Sequence, residues 1–110
     1  MNVLILTAGS RVQTVTYFRR ALAGRGRVIT TDASELAPAL YAADGHHVVP
    51  LISDPAYLPE ILRICREEEI SVVLSLLDPE LSLLSQHIAD FEALGVQVMI
   101  SPPEVVERSF

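Results

Sequence analysis

The chain has 110 residues, of which 50% are apolar, and its 14 acidic residues outnumber 8 arginines, with no lysine, for a formal charge of -6. Such a length suits one domain, and that apolar share excludes a disordered chain, which lacks the surface to offset its ordering entropy. The acidic balance excludes a general nucleic-acid or anionic-membrane surface, and a lone cysteine, Cys65, excludes an intrachain disulfide and a thiolate metal cluster.

Taken in chain order, apolar runs alternate with helical patterns at the length of βα units. Asn2 to Thr7 (NVLILT) is a nearly continuous apolar strand of the kind buried on both faces of a parallel sheet. From Arg11 to Ala23 the period becomes helical, with Val12, Val15, Phe18 and Leu22 on one stripe. Val28 to Thr31 gives a second strand that ends at Asp32. Leu36 to Ala42 fits either a short helix or an irregular loop, and His47 to Leu51 gives a weaker third strand. Pro55 to Glu68 predicts a helix whose Leu58, Ile61, Leu62 and Cys65 face the sheet. Ser71 to Leu77 (SVVLSLL) is a fourth strand, and Pro79 to Leu94 a helix with Leu81, Leu84, Ile88 and Phe91 inward. Gly95 stands where a left-handed residue would stop that helix. Gln97 to Ile100 closes the sheet as a fifth strand, and Pro102 to Arg108 begins a last helix.

Capping residues agree with this register. Asp54-Pro55, Asp78-Pro79 and Ser101-Pro102 each put an acceptor before a proline that loses no helical hydrogen bond. Ser10 with Gln13, and Ser101 with Glu104, have capping-box spacing. Right-handed crossovers then make a doubly wound sheet the simplest arrangement, with fold precedent giving the order 3-2-1-4-5. The terminal stub carries Val105, Val106 and Phe110, which need a surface to pack on. Either this domain's own sheet or a further domain supplies it; without either, self-association through this segment is expected. No apolar stretch approaches the ~20 residues of a membrane helix, and Met1 runs into the first strand without a basic leader. A cytoplasmic protein with no membrane or nucleic-acid partner is expected.

Ligands of open α/β sheets bind beyond the C-terminal strand ends, so the polar groups there are the candidates. The loop Thr7-Ala8-Gly9-Ser10-Arg11 leads into a helix N-terminus that can hold an anion. It has one glycine of a dinucleotide fingerprint and lacks the lysine of a P-loop. Arg11 in the first helical turn opposes the macrodipole, at a cost of about 0.3–1 kcal/mol that a bound phosphate or carboxylate would offset. Alternatively it reaches solvent or pairs with Asp32 or Asp78 at the neighbouring strand ends. Asp32 is placed to bind a ribose or to cap the next turn, and Asp78 to cap a helix or to line the crevice. Glu80 in the first turn of the next helix fits favourable helix electrostatics and no more. His46 and His47 point to opposite faces of a strand, and His87 is distant, so no metal site is expected. Cys65 belongs to the core, and serines 71, 75, 82 and 85 lack a nucleophile elbow.

Taken together, MNVLILTAGSR, VQTVTYF, TTDASELAPALYAAD, VPLISDPAYLPEIL, VVLSLLDPEL and VMISPPEVVE resemble the N-terminal domain of carbamoyl-phosphate-synthase-like and PylC-like ATP-grasp proteins, over essentially the whole chain. The resemblance implies a Rossmann-like three-layer αβα unit, the pre-ATP-grasp domain, on which two catalytic lobes pack. It further implies a ligase that activates a carboxylate as an acyl phosphate for an amine or another nucleophile. By the same resemblance Gly9, Ser10, Arg11, Asp32, Ser34 and Asp78 face the shared cleft on the substrate side, and none of them is catalytic. Ser10 stands where many relatives carry a second arginine. ATP and magnesium are expected only in a full-length parent, whose ATP-binding lysines lie beyond this chain; the 110 residues alone are expected not to catalyse ligation. The alternatives are a stand-alone small-molecule or nucleotide-binding module, or a structural interaction domain.

Overall fold

The computed structural model describes residues 1–7, 9, 11–75 and 78–99, for 78 and 79 the backbone only. The first apolar run forms β1 (Val3–Ile5), every side chain of which is buried. Then follow α1 (Val12–Leu22), β2 (Val28–Asp32), α2 (Pro38–Ala42), β3 (Gly45–Val48), α3 (Tyr57–Glu67), β4 (Val72–Leu74), α4 (Asp78–Gln86), α5 (Ile88–Glu92) and β5 (Gln97–Met99). All five strands join one parallel sheet in the predicted order, β3-β2-β1-β4-β5. β1 lies at its centre, with Val3 beside both Val28 and Val72 and Ile5 beside both Thr30 and Leu74.

Alternation along the strands divides the core in two. Val3, Ile5, Val28 and Leu74 pack with Val15 and Ala39 beneath α1 and α2. Leu4, Leu6, Ile29 and Val73 pack with Ile61, Ile64, Leu84 and Phe91 beneath α3, α4 and α5. Helices on both faces are what right-handed crossovers require of a chain that steps outward from β1 first one way and then the other. At the N-terminal edge Asn2 ties three elements together. Its Nδ2 donates to the Glu68 carbonyl at 2.8 Å, its Oδ1 accepts from Arg27 N at 3.0 Å, and its carbonyl accepts from Ser71 N at 2.8 Å. The backbone of Met1 passes so close to Gly26 that a Cβ there would lie 1.4 Å from its carbonyl oxygen.

Several boundaries differ from expectation. β3 begins at Gly45 rather than His47 and stops before Pro50, which has no N–H to donate; the last bond on that side is Val49 N to the Asp32 carbonyl at 3.0 Å. The Asp54-Pro55 pair does not cap α3 directly. Asp54 Oδ1 accepts from Ala56 N at 2.8 Å in a local turn, and the helix starts two residues later at Tyr57. The buried face of α3 is accordingly Tyr57, Ile61, Ile64 and Cys65, with Leu58 and Leu62 only partly buried on its flank. The single helix expected over 79–94 is two helices, because His87 leaves helical geometry at φ -126° and ψ 21° and its Nδ1 meets Asp90 Oδ2 at 3.0 Å. α1 takes Arg11, not Ser10, as its N-cap residue. The expected last helix, with Ser101, Val105, Val106 and Phe110, lies outside the described residues, as does Ser10.

Two helices end alike. Beyond α5, Gly95 adopts φ 77°, its N–H donates to the Glu92 carbonyl at 2.9 Å, and Val96 N donates to the Phe91 carbonyl at 3.0 Å. Beyond α3 the same pair of bonds runs from Glu69 N to Arg66 O and from Ile70 N to Cys65 O, but the left-handed residue is Glu69, at φ 52°. A side chain in that conformation is strained where glycine is not. Glu69→Gly is therefore expected to raise stability by about 1 kcal/mol, read as a higher urea midpoint; an unchanged or lower midpoint contradicts the strain.

The neighbouring Glu68 links α3 to the sheet. Its carboxylate accepts from His47 Nε2 at 2.9 Å and from Arg27 Nη2 at 3.1 Å. The bond from His47, and then that from Arg27, hold its carboxyl below the ordinary value of 4.5. A depressed folded value means that the stabilisation is present above the ordinary pKa and is lost as pH falls through the folded one. The stability difference between the wild type and Glu68→Gln is thus expected to shrink below pH 4.5. Denaturation across an acid pH series measures it, and a difference that grows on acidification would reverse the assignment.

Candidate functional site

Where β1 leaves the sheet, Leu6 N still bonds the Leu74 carbonyl at 2.9 Å, and Thr7 then turns into the left-handed region at φ 47°. A β-branched residue there is an outlier, and such strain collects at functional positions. From this position the Thr7 hydroxyl donates to Glu80 Oε2. The Tyr57 hydroxyl donates to the same oxygen at 2.7 Å, and the Ser75 hydroxyl donates to Oε1. Four elements thus converge: the ends of β1 and β4, the start of α3 and the first turn of α4. Glu80 is 0% exposed and has no cationic partner among the described residues. Burying a carboxylate this way demands hydrogen bonds in place of water, and three hydroxyls provide them. Burial first, and then the negative charge of Glu80, push the Tyr57 phenol well above its usual value, so it stays protonated as the donor.

Asp32, only 9% exposed, organises the neighbouring loops. Its Oδ2 accepts from Gly9 N at 2.8 Å and its Oδ1 from Ser34 N at 3.0 Å, while Ser34 Oγ accepts from Leu36 N at 3.2 Å. Gly9 sits at φ 56°, and its carbonyl accepts from Ala39 N at 3.0 Å, which fastens the first loop to α2. Gly9, Asp32 and Ser34 are therefore in one hydrogen-bonded group. Arg11 is half-buried at the head of α1 and forms no ion pair among the described residues. The alternative of a pairing with Asp32 is not made; both of its carboxylate oxygens accept from backbone N–H groups instead. Asp78 opens α4, and its side chain lies outside the described residues.

Beside this group is a pocket of about 410 Å³, lined by Thr7, Ala33, Val49, Pro50, Leu51, Ile52, Ser53 and Tyr57. It opens at the C-terminal strand ends, where doubly wound sheets bind ligands. A family model described as the PylC-like N-terminal domain matches residues 3–99. The chain belongs to that family. No curated protein matches it.

The fold seen here is that expected of the PylC-like domain, down to the strand order. Glu80 is the main correction: it is the buried centre of the site and not only a contributor to helix electrostatics. Tyr57 and Ser75 are not among the candidates either, and Thr7 is there only as the start of the first loop. One signal for the group was present, since Ser75 interrupts the apolar run SVVLSLL with a hydroxyl that a buried strand end must satisfy. Cys65 is in the core as expected, and burial pushes its thiol up to about 12. His47 is used by Glu68, whereas His46 lies on the opposite, exposed side with its ring 5.0 Å from that of Tyr41. No helix among the described residues is long and apolar enough to cross a membrane.

Proposed function

We propose that this PylC-like domain forms the substrate side of the cleft in an ATP-grasp ligase, acting with catalytic lobes from the same or another polypeptide. The family match over residues 3–99 carries this reading. Its support in the geometry is the gathering of a strained Thr7, the Glu80 group, the Asp32 loop clamp and a pocket at one strand-end crevice. In this reading Gly9, Ser10, Arg11, Asp32, Ser34 and Asp78 shape the acceptor or substrate side, and Arg11 supplies a guanidinium for a carboxylate or phosphate. In this reading the first loop is not the site of the nucleoside triphosphate. The Gly9 N–H is committed to the Asp32 carboxylate, a negative neighbour for any phosphate, and the chain contains no lysine. ATP and magnesium are accordingly assigned to the lobes.

The test is ATP-dependent hydroxamate formation from candidate carboxylates by the domain joined to ATP-grasp lobes. Arg11→Ala is expected to raise the substrate KM by about tenfold, the effect of losing a charge-assisted hydrogen bond, with the KM for ATP unchanged. The isolated chain is expected to turn over no ATP. Robust turnover by the chain alone, or full activity of lobes lacking it, would overturn the reading. The partners in this proposal are the lobes and, when they are missing, a second copy meeting Val105, Val106 and Phe110; sedimentation with and without the lobes reads that directly. The pocket also favours a second reading, a stand-alone small-molecule-binding module, which predicts binding without any ligase activity.

A further inference from the structure

The arginines are not spread evenly along the chain. Five of the eight, Arg11, Arg19, Arg20, Arg25 and Arg27, precede Asp32, the first acidic residue, so all 14 acids follow them in a chain of net charge -6. Three of the five are engaged within the domain. Arg19 Nη2 is 3.2 Å from Asp44 Oδ1, and its Nη1 donates to the Ala42 carbonyl at 3.0 Å. Arg25 folds back on the Leu22 and Ala21 carbonyls at the end of α1, and Arg27 holds Glu68. Arg20, exposed in the last turn of α1, forms no ion pair among the described residues. Beside it the outer face of α1 is not wholly polar. Val12, expected on the inner stripe with Val15, is turned outward and 37% exposed, and Tyr17 is 68% exposed. Val12, Gln13, Thr16, Tyr17 and Arg20 line an open hollow of about 400 Å³. A second hollow, of about 390 Å³, shares Thr16 and Arg20 and continues over Gly24 and Gly26 to Arg19 and Asp44. Along two turns of helix, about 12 Å, the face thus offers a seat for an apolar side chain and then an unpaired cation.

We propose that the outer face of α1 docks an acidic amphipathic helix of another protein, antiparallel to α1, with an apolar side chain between Val12 and Tyr17 and a carboxylate on Arg20. Charge complementarity selects this occupant, because a guanidinium without an acid of its own grips a carboxylate bidentately. The side-chain ridges of one helix fit the grooves of another. Carboxylates are favoured in the first turn of a helix, and the antiparallel direction brings that turn to the last turn of α1, where Arg19 and Arg20 stand. The negative charge of the rest of the chain disfavours an extended polyanion such as an anionic bilayer, whereas a short segment needs only this one face. Arg11 lines neither hollow, so the surface is separate from the anion assigned to the cleft.

The experiment is an amide chemical-shift titration of the 110-residue chain with a helical peptide of about 18 residues, leucines along one face and glutamates in its first turn. A second peptide carries glutamine in place of each glutamate. The glutamate peptide is expected to shift the amides of Val12, Gln13, Thr16, Tyr17 and Arg20 and to bind about tenfold more tightly than the glutamine peptide, a difference that fades at high salt. Arg20→Glu is expected to weaken the glutamate peptide at least tenfold, by about the worth of a charge-assisted hydrogen bond, and to leave the glutamine peptide little changed. Tyr17→Ala is expected to weaken both several-fold. Both side chains are exposed, so the fold is expected to survive either substitution, which circular dichroism confirms. Equal affinity for the two peptides, or shifts confined to other residues, overturns the proposal. So does binding to phosphatidylserine vesicles that requires Arg20, which would assign the face to a membrane. Self-association in sedimentation that Arg20→Glu abolishes would assign it to a second copy and overturns the proposal equally.

Discussion

Glu80→Ala is expected to destabilise the domain by about 3 kcal/mol or more, since it leaves the hydroxyls of Thr7 and Tyr57 without their acceptor and takes one bond from Ser75. Each group forced to stay dry without a partner carries a cost of about 1–3 kcal/mol, partly relieved if water enters the space. Against the roughly 5–15 kcal/mol that holds a domain of this size together, that loss is large. Glu80→Gln separates shape from charge: an amide can still accept from two hydroxyls, and the third can reorient, so the loss should be smaller. Urea denaturation of both variants measures the pair. A loss for Glu80→Ala below about 1 kcal/mol would mean that the group is dispensable to the fold.

Phe91→Ala is expected to cost about 3–5 kcal/mol, the range for removing a fully buried aromatic ring. Phe91 is 0% exposed and packs in the cluster with Val73, Leu84 and Val96. Its carbonyl also accepts the Val96 N–H that closes α5, so the ring and the helix end are coupled. Loss of the ring should therefore lower the global midpoint and also speed hydrogen exchange in α5 and β5 relative to β1 and β2. Phe91→Leu fills part of the cavity and should lose distinctly less. Equal losses for the two substitutions would show that ring volume is not what holds this helix.

The fold was legible in the sequence because its signals are local. NVLILT, VVL and the Val28 run are apolar enough to be buried on both faces, and right-handed crossovers leave few ways to order them. The boundaries that moved did so for tertiary or backbone reasons. Pro50 ends the β3 ladder, and α3 presents Tyr57 and Ile64 rather than Leu58 and Leu62 because the two stripes share Ile61 and Cys65 and only one gives the Tyr57 hydroxyl a partner. Half of the predicted cleft group assembled as a unit, Gly9, Asp32 and Ser34, since strand ends with short loops are close by construction. The Glu80 group was not legible. Its members stand at positions 7, 57, 75 and 80, and no spacing rule joins residues that meet only after β1 has found β4 and α3 has crossed the sheet.

The central place of β1 has a consequence for how the chain is made. On the ribosome β1 can find β2 early, over a loop of about 25 residues, yet its other edge stays bare until β4 emerges almost seventy residues later. Glu80, six residues after β4, comes last and receives a hydroxyl from each side of that seam, Thr7 from the early half and Ser75 from the late one. The buried carboxylate is thus a latch set once β4 has joined β1, and the crevice beside it takes shape only when these two parts of the chain have met.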